Sequence, residues 1–494
     1  MRLAELLRGL GIQGNAEDVD VRGIAYDSRR VEPGDLFVVW SGVRADGRVH
    51  ARQAIERGAV AVVAQGAPLD GEGAHPVPWL VAADPRALLG PLASRLHGAP
   101  DRELTLVGVT GTNGKGTTAT VLARVLEAAG QPCGFLGSYG YSFAGRAYGG
   151  DRTTPEGSDL FRLLREMKEA GAKAVTMEVS SHALAQGRLE AAHFDATVFL
   201  NLTRDHFDFH RDFEDYFAAK RRLFGKLKPG GRAVVNADDP YGRRLAEELG
   251  ATALTFGEAG AVRAREVVLD TRGVRGVIAT PRGEFPFDSM LRGRFNFLNL
   301  LAAAAAGEAL GLPHEAIARG LGAQVPLPGR MEPVEKGQEF PAFVDYAHTD
   351  AALAAVLASF REFTRRKVVV VFGCGGDRDP GKRPLMGQVA GQLSDLPIAT
   401  SDNPRSEDPM AILSAVEEGL KRSGNGDYRI VPDRHEAIRR AVAIAGNQPG
   451  EWAVLVAGKG HEEEQIFADR RIRFSDREEL AAAVEERLGS SAGG

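Results

Sequence analysis

A glycine-rich loop with a single lysine lies between two apolar segments of this chain. Residues 106–126 read LVGVTGTNGKGTTATVLARVL, an apolar run followed by the loop and then by apolar residues at helical spacing. Such a loop points backbone N–H groups at an anion, and the following helix N-terminus adds partial positive charge. Lys115 would reach the terminal phosphates and Thr117 or Thr118 would supply a hydroxyl for Mg²⁺, since Gly116 stands where a hydroxyl residue usually follows the lysine. The pattern predicts a strand, a nucleotide phosphate loop and a helix.

Acidic and imidazole side chains follow two further apolar runs. Glu178 lies near the end of the run KAVTMEV (173–179), and NLTRDHFDFH (201–210) follows another such run. A carboxylate at the carboxyl end of a strand, beside a phosphate loop, is well placed for Mg²⁺. A capping carboxylate and hydrogen-bonded loop side chains are the plainer alternatives. Zinc is disfavoured because no cysteine lies near.

Charged loops follow three apolar runs in the last third of the chain. They read GCGGDRDPGKRP (373–384), SDNPRSEDP (401–409) and AGKGHEEEQ (457–465). Ligands of open α/β sheets bind at the edge where the carboxyl ends of the strands meet. Arginine and lysine at that edge suit a carboxylate or a phosphate. The three loops together predict a second ligand site.

Alternating strands and helices must position these stretches. DLFVVW (35–40) and AVAVVAQ (59–65) predict strands of a small α/β unit, and HGAPDREL (97–104) is expected to be a linker. From there to about residue 325 strands alternate with helices, which favours a mostly parallel sheet covered on both faces. An alanine-rich helix is expected over 293–311, and the Pro/Gly-rich QVPLPGRME (324–332) suggests a second boundary. The predicted units are 1–97, 98–328 and 329–494.

The bulk composition excludes several classes of protein. The 494 residues carry a net charge of −5, which gives no general attraction to nucleic acid or anionic membranes. Two cysteines support neither a disulfide framework nor a metal cage. The N-terminus MRLAELLRGLGI is a poor signal peptide, and no apolar run is long enough to span a bilayer. We therefore expect a cytoplasmic protein without nucleic-acid or membrane partners, and a monomer.

Taken together, the motifs resemble the Mur ligase family over nearly the whole chain. They are AYDSRRVEPGDLFVVWSG, ADGR, TGTNGK, TTPE, MEVSSHAL, NLTRDHFDFH, FAAKRRLF, PGRME, VDYAHT, GCGGDRD, SDNPR and AGKGHE. The resemblance implies α/β architecture in three domains: a small N-terminal domain, a central P-loop ATPase-like parallel sheet and a C-terminal Rossmann-like domain. It also implies an ATP-dependent ligase of peptidoglycan biosynthesis, which forms an amide through an acyl phosphate.

The resemblance also implies roles for particular residues. Lys115, Lys220, Glu178 and His206 are the expected catalytic positions, with Lys115 on the ATP phosphates and Thr117, Glu178 and His206 on Mg²⁺. Lys220 matches a carbamylated lysine, whose oxygens would also suit Mg²⁺. Carbamate formation needs CO₂ and an uncharged amine, which burial favours. Further nucleotide contacts are expected at Gly111, Thr112, Asn113, Gly114, Gly116, Thr117, Asn299, Arg330 and Asp345.

One expected substrate is UDP-MurNAc-L-Ala-D-Glu, bound against the first two units. The resemblance places its contacts at Tyr26, Ser28, Val43, Arg44, Ala45, Arg152, Thr153, Thr154, Ser180, Gln186 and Arg188. Arg152 departs from the family pattern, because asparagine is expected at that position.

The other expected substrate is meso-diaminopimelate, joined to the γ-carboxylate of D-Glu. In this family an arginine after Asp-Asn-Pro, here Arg405, looks like the diaminopimelate type. The physical reason is that a guanidinium can hold the distal carboxylate in a bidentate pair, a group that lysine and ornithine lack. The pocket is expected to be completed by Arg383, Asp402, Asn403, Pro404, Gly458 and Glu462, with Glu462 on the distal ammonium.

Three other functions remain open. A ligase of the same family could add L-lysine or L-ornithine. Folylpolyglutamate synthetase shares the architecture and the GTNGKG loop, but the N-terminal DSR…PGDLF segment and DNPR argue against it. A nucleotide-dependent switch is a third reading, against which stand the absence of an NKxD-type guanine motif and the presence of Lys115, Glu178 and Lys220.

Overall fold

The first part of the chain forms a small parallel sheet. This computed structural model describes residues 1–15, 19–42, 46–69, 76–150, 152–270, 272–323, 327–448 and 450–492. The first sheet has the order β1-β2-β3-β4, with every neighbouring pair parallel. Its strands and the nearby helices are β1 (Gly23–Ala25), β2 (Asp35–Val39), β3 (Ala61–Ala64) and β4 (Trp79–Val81), with α1 (Leu3–Leu7), α2 (Ala51–Glu56) and α3 (Pro85–Leu96).

The phosphate-loop strand is an inner strand of an eight-stranded sheet, of order β12-β11-β10-β5-β9-β6-β7-β8. All pairs are parallel except β6–β7 and β7–β8, so the predicted mostly parallel sheet is confirmed. The strands are β5 (Thr105–Thr110), β6 (Cys133–Gly137), β7 (Gly140–Phe143), β8 (Arg146–Ala147), β9 (Ala174–Glu178), β10 (Phe194–Phe199), β11 (Leu227–Asn236) and β12 (Ala253–Phe256). The helices of this part are α4 (Lys115–Ala128), α5 (Gly157–Glu169), α6 (Ser181–Ala185), α7 (Phe213–Arg221), α8 (Pro240–Leu249), α9 (Arg294–Ala309) and α10 (His314–Gly322).

An antiparallel sheet interrupts the expected alternation of strands and helices. The strands β13 (Arg263–Asp270), β14 (Gly273–Thr280) and β15 (Gly283–Ser289) follow one another through short turns. The expectation of alternation up to about residue 325 is therefore wrong for this segment. The alanine-rich helix α9, predicted over 293–311, is confirmed, and its small side chains are buried between the central sheet and this antiparallel one.

The last part of the chain forms a six-stranded sheet of order β16-β17-β21-β18-β19-β20. Its inner strands β17, β21, β18 and β19 are parallel, so the ends of β18, β19 and β21 share one edge. The strands are β16 (Glu332–Pro333), β17 (Ala342–Asp345), β18 (Lys367–Phe372), β19 (Leu396–Ala399), β20 (Arg429–Ile430) and β21 (Trp452–Ala457), followed by the hairpin β22 (Glu464–Ile466) and β23 (Arg471–Arg473). The helices are α11 (Asp350–Phe363), α12 (Lys382–Leu393), α13 (Pro409–Arg422), α14 (Arg434–Asn447) and α15 (Asp476–Ala492).

Both faces of the two large sheets are covered by separate apolar clusters. With both faces covered, a ligand reaches these sheets at the edges where the strands end. In the described residues, no helix is both long and apolar enough to cross a membrane.

Candidate active site

The phosphate loop joins the end of β5 to the start of α4. Gly111 and Gly114 have φ values of 157° and 89°, which residues other than glycine rarely adopt. A Cβ on Gly114 would overlap the side-chain oxygen of Asn299, so Asn299 lies directly against the loop. The backbone N–H groups of Thr112 and Asn113 donate to Asn201, at 3.0 and 2.9 Å. The loop is therefore held in one conformation by the segment after β10.

A buried lysine, Lys220, and a partly buried one, Lys115, meet on one carbonyl oxygen of this loop. The carbonyl of Gly111 accepts from Lys115 Nζ at 3.1 Å and from Lys220 Nζ at 2.8 Å. Burial lowers the pKa of Lys115, opposed by Glu178 and Asp205, and it lowers the pKa of Lys220 well below its ordinary value, with Lys115 adding repulsion. Lys220 is 1% exposed, and its Nζ lies 4.4 Å from the centre of the Tyr216 ring. These surroundings favour the uncharged amine that a carbamate requires.

Glu178 lies at the end of β9, next to the phosphate loop. It is 3% exposed, and its Oε1 accepts from the N–H and the hydroxyl of Ser138, at 2.8 and 2.7 Å. Thr117, whose hydroxyl is the other expected ligand, lies buried in the first turn of α4. No group of three His, Cys, Asp or Glu side chains suited to a metal occurs in the described residues. A carboxylate and a hydroxyl fit Mg²⁺, which usually keeps waters and takes substrate phosphate oxygens.

His206 belongs to a group of rings beside the loop. Its backbone has φ of 57°, and its ring lies 4.8 Å from that of His182 and 6.1 Å from that of Tyr216. Burial lowers the pKa of His206, opposed by Asp205, and burial with repulsion from His210 lowers the pKa of His182 to about 4. His206 is therefore neutral at physiological pH, the form that can ligate a metal.

A cavity of about 220 Å³ lies between the phosphate loop and the last part of the chain. Arg330 reaches its wall, donating from Nε to the hydroxyl of Tyr139 at 3.1 Å while its guanidinium lies 4.8 Å from the Tyr346 ring centre. Asp345 accepts from the N–H groups of Met331 and Ala347, both at 2.8 Å. The predicted nucleotide residues around this cavity are Asn113, Gly114, Thr117, Asn299, Arg330 and Asp345.

A larger cavity, of about 600 Å³, lies in the first part of the chain. Tyr26 and Ser28 line it; the Tyr26 hydroxyl donates to Asp159 at 2.8 Å, and the Ser28 hydroxyl donates to Gln53 at 2.7 Å. Arg152 lines the same cavity, which therefore brings together three of the predicted nucleotide-sugar contacts. The predicted contacts Val43, Arg44 and Ala45 lie outside the described residues.

A polar chain leads from this cavity toward the phosphate loop. Thr154, which follows Thr153, donates from its hydroxyl to the backbone carbonyl of Glu178 at 2.9 Å. The hydroxyl of Thr154 accepts from the N–H of Ser180 at 3.1 Å. Arg188 donates to the carbonyl of Thr154 at 2.9 Å and to Gln186 at 2.7 Å. The structure thus brings Thr154, Ser180, Gln186 and Arg188 together next to Glu178.

The three charged loops of the last part lie at one sheet edge, as predicted. Asn403, after β19, donates to Glu462 at 2.8 Å and accepts from Lys459 at 3.1 Å. Lys459 is fully buried and also lies 3.7 Å from Asp402. Gly458 has φ of 126°, and a Cβ there would lie 3.4 Å from the Asp402 carboxylate. The side chains of Asp402 and Asn403, after β19, therefore converge with that of Glu462, after β21.

The two arginines of this edge have different partners. Arg383 is buried and pairs with Glu407 at 2.8 and 2.9 Å. Arg405, with φ of 54°, donates to the carbonyl of Gly376 at 2.6 Å. The carbonyl of the preceding Pro404 lies so close to Gly376 that a Cβ there would overlap it. The hydrogen-bond partner of the Arg405 guanidinium is a neutral carbonyl, and its charge helps to lower the pKa of the nearby Asp377, whereas Arg383 already forms an ion pair with Glu407.

Several residues of the site were not predicted from the sequence, among them Lys459, Glu156, Arg86 and Tyr139. Lys459 and Glu156 belong to motifs that were recognised, AGKGHE and TTPE, but no role was assigned to either. Arg86 and Tyr139 gave no signal, because their partners Glu156 and Arg330 lie far away in the sequence.

Comparison with known proteins follows the same three parts of the chain. Residues 20–95 match the Mur ligase family, catalytic domain; residues 109–307 match the Mur ligase middle domain; residues 329–460 match the Mur ligase, glutamate ligase domain. UDP-N-acetylmuramoyl-L-alanyl-D-glutamate--2,6-diaminopimelate ligase of Geobacter metallireducens is 43% identical, over 98% of this chain and 99% of that protein. The chain belongs to the Mur ligase family.

Other similar proteins agree with this Mur ligase assignment. The protein of the same name from Solibacter usitatus is 46% identical, over 93% of this chain and 92% of its own. A solved structure of a UDP-N-acetylmuramoyl-L-alanyl-D-glutamate--2,6-diaminopimelate ligase superposes with a TM-score of 0.68 at 30% identity, covering 99% of both chains. The family and the α/β Mur ligase architecture predicted from the motifs are confirmed.

Proposed function

We propose that this Mur ligase joins meso-diaminopimelate to the D-Glu γ-carboxylate of UDP-MurNAc-L-Ala-D-Glu, with ATP, in peptidoglycan biosynthesis. The observation that carries the proposal is that a nucleotide phosphate loop lies next to a second site that is suited to an amino acid. The phosphate loop with Lys115 and Lys220 faces the sheet edge that holds Asn403 and Glu462. Arg204, after β10, pairs with Asp379, after β18, at 3.0 Å and so joins the two sites.

The chemistry follows from the difficulty of amide formation in water. The substrate carboxylate attacks the γ-phosphorus of ATP, and the acyl phosphate and ADP form. The amine of the amino acid then adds to the acyl carbon, and the tetrahedral intermediate collapses to the amide with loss of phosphate and a proton. Lys115 offsets the negative charge that passes between the phosphates, and the enclosed loop orients the reactants.

Mg²⁺ would be held by Thr117, Glu178, His206 and a carbamate on Lys220. It would supply charge neutralisation at the phosphates. The carbamate forms when the uncharged Lys220 amine adds to CO₂ and a proton leaves. The burial and lowered pKa of Lys220 support this step, and the product is an anion suited to Mg²⁺.

Selection of diaminopimelate is assigned to Arg405. Its guanidinium has a neutral carbonyl partner and can take a carboxylate in a bidentate pair. Glu462 would accept the distal ammonium in exchange for its contacts with Asn403 and Lys459. Lysine or ornithine would leave Arg405 without its anion.

The same proposal covers the organisation of the chain. We place the unit limits at 1–97, 98–328 and 329–494, and we expect a monomer that acts in the cytoplasm. The nucleotide sugar is assigned to the cavity of about 600 Å³ and the adenosine to the cavity of about 220 Å³.

Mass spectrometry of the product tests the proposal. The protein is incubated with ATP, Mg²⁺, UDP-MurNAc-L-Ala-D-Glu and meso-diaminopimelate, and reactions lacking one component are the controls. A product heavier than the nucleotide sugar by one diaminopimelate less water, formed only in the full mixture, is expected. Absence of that product, with glutamate added to a folate instead, would assign the chain to folylpolyglutamate synthesis.

A further inference from the structure

A buried carboxylate lies among three arginines at the junction of the first two sheets. Glu156, 1% exposed, precedes α5. Its Oε1 lies 2.8 Å from Arg86 Nη2 and 3.1 Å from Arg188 Nε, and it also pairs with Arg152. Its other oxygen, Oε2, has no hydrogen-bond partner among the described residues. One carboxylate oxygen thus gathers three guanidinium groups.

The cluster of Arg86, Arg152, Arg188 and Glu156 carries an excess of positive charge. Three cations face one anion, and the further partners of Arg86 and Arg188 are neutral: the Gln186 side chain and the carbonyl of Thr154. Burial lowers the pKa of Arg188, and Arg152 and Arg86 add repulsion against the attraction of Glu156. Half-buried cations in such surroundings are stabilised by a further anion.

The cluster lies between the larger cavity and the phosphate loop. Arg152 lines the cavity of about 600 Å³, as does Trp40, whose ring centre lies 5.2 Å from the Arg86 guanidinium carbon. On the opposite side, Arg188 donates to the carbonyl of Thr154, whose hydroxyl donates to the backbone carbonyl of Glu178. A substrate that extends from the cavity to the phosphate loop must pass this cluster.

The helix that carries Arg86 is fixed across the junction. Gly90 of α3 lies so close to the carbonyl of Glu190 that a Cβ there would overlap it. A Cβ on Gly157, at the start of α5, would lie 2.6 Å from the Gly90 nitrogen. Because the backbones touch, Arg86 approaches Glu156 from a rigid support.

We propose that Glu156 and Arg86 are positioning residues, which hold Arg152 and Arg188 as a cationic site for an oxyanion of the nucleotide-sugar substrate. The inference rests on the proposed function. The oxyanion belongs either to the diphosphate or to a carboxylate beyond it. Glu156 acts through the arginines and does not touch the substrate.

A positioning role and a purely neutralising role predict opposite effects of removing the charge. Glu156→Gln keeps the shape of the side chain and raises the net charge of the cluster by one. If Glu156 only neutralised the arginines, an anion would bind more tightly to the variant. If Glu156 positions them, the guanidinium groups separate and the anion binds more weakly.

Direct binding by isothermal titration calorimetry tests the inference. UDP and UDP-MurNAc-L-Ala-D-Glu are titrated separately into the full chain and into E156Q, R86K and E190Q. Glu190 forms a partly exposed ion pair with Lys226 and is the matched control for loss of one carboxylate near α3. For E156Q we expect about tenfold weaker binding, since charge-assisted hydrogen bonds are misaligned. For R86K, which keeps the charge but loses the planar fork, we expect about three- to fivefold weaker binding.

The two ligands identify the source of the oxyanion. Weaker binding of UDP as well as of the full substrate assigns the diphosphate, and weaker binding of the full substrate alone assigns a carboxylate. Unchanged or tighter binding of both ligands to E156Q overturns the inference. If E156Q does not fold, the affinity of R86K is the test, and an unchanged affinity in R86K overturns the inference. Failure of the wild-type chain to bind the nucleotide sugar would instead count against the proposed function.

Discussion

The phosphate loop and the sheet edge at β18, β19 and β21 balance charge in opposite ways. In the loop, Lys115 and Lys220 both donate to the carbonyl of Gly111. At the sheet edge, Lys459 is already engaged with Asn403 and Glu462, and Arg383 with Glu407. Because Lys115 donates in the loop to neutral carbonyls, an entering phosphate gains a charged partner, whereas a ligand that reaches Lys459 or Arg383 at the edge must replace contacts that already exist. Affinity for ATP is expected to come from the loop, and selectivity among amino acids from the edge.

The largest effect is expected from the loop lysine that the resemblance assigns to carbamylation. Lys220→Ala should lower kcat on the order of 10³-fold, because the group that would hold Mg²⁺ and charge at the phosphates is lost. Steady-state phosphate release measures this, and added short carboxylates should restore part of the rate. Lys226→Ala, at a surface ion pair with Glu190, is the control. Unchanged turnover in Lys220→Ala would remove Lys220 from the mechanism.

A smaller and more selective effect is expected at the sheet edge. Arg405→Ala should raise KM for meso-diaminopimelate by roughly 30- to 100-fold, since a charged hydrogen-bonded partner is lost, and should leave KM for ATP near its wild-type value. Initial rates with one substrate varied at a time separate the two constants. Equal increases in both constants would contradict the division of roles between loop and edge.

Loss of the ion pair that links the two regions is expected to have a moderate effect on activity. Arg204 and Asp379 form the ion pair that joins them, and Asp379 is mostly buried. Arg204→Asp should lower kcat/KM for the amino acid by about fivefold, near the upper limit for a partly exposed pair. Asp379→Arg added to Arg204→Asp should recover part of that loss. A double variant no better than the worse single variant would show that the pair does not hold loop and edge together.

The smallest effect concerns stability against acid. His461 follows the AGKG turn, and burial, with repulsion from Arg330 and His348, lowers its pKa to about 4. An unfolded histidine has a pKa of about 6.5, so the unfolded chain takes up a proton between about pH 6.5 and 4 that the folded chain does not. Stability therefore falls as the pH falls through that window. His461→Gln should show a smaller loss of Tm between pH 7.5 and 5, and an identical loss in both proteins would contradict this.

The same two regions show what the sequence could predict. The phosphate loop was predicted because strand, turn and helix are contiguous in 106–126 and each has a local signal. The sheet edge was predicted because the loops that follow parallel strands meet at one edge of the sheet, whatever the order of the strands. Glu156 and Arg86 were missed because their contact spans 70 residues. The strands of 263–289 were missed because their turns and mixed polarity lack the apolar runs of the central strands.

Selectivity between amino acids tests the central claim most directly. The measurement is kcat/KM for meso-diaminopimelate and for L-lysine, with ATP, Mg²⁺ and UDP-MurNAc-L-Ala-D-Glu at saturation. Because lysine has no distal carboxylate to pair with Arg405, we predict a ratio of about 10³ or more in favour of diaminopimelate. Equal values, or a preference for lysine, would contradict the assignment of Arg405 while leaving the ligase reaction in place.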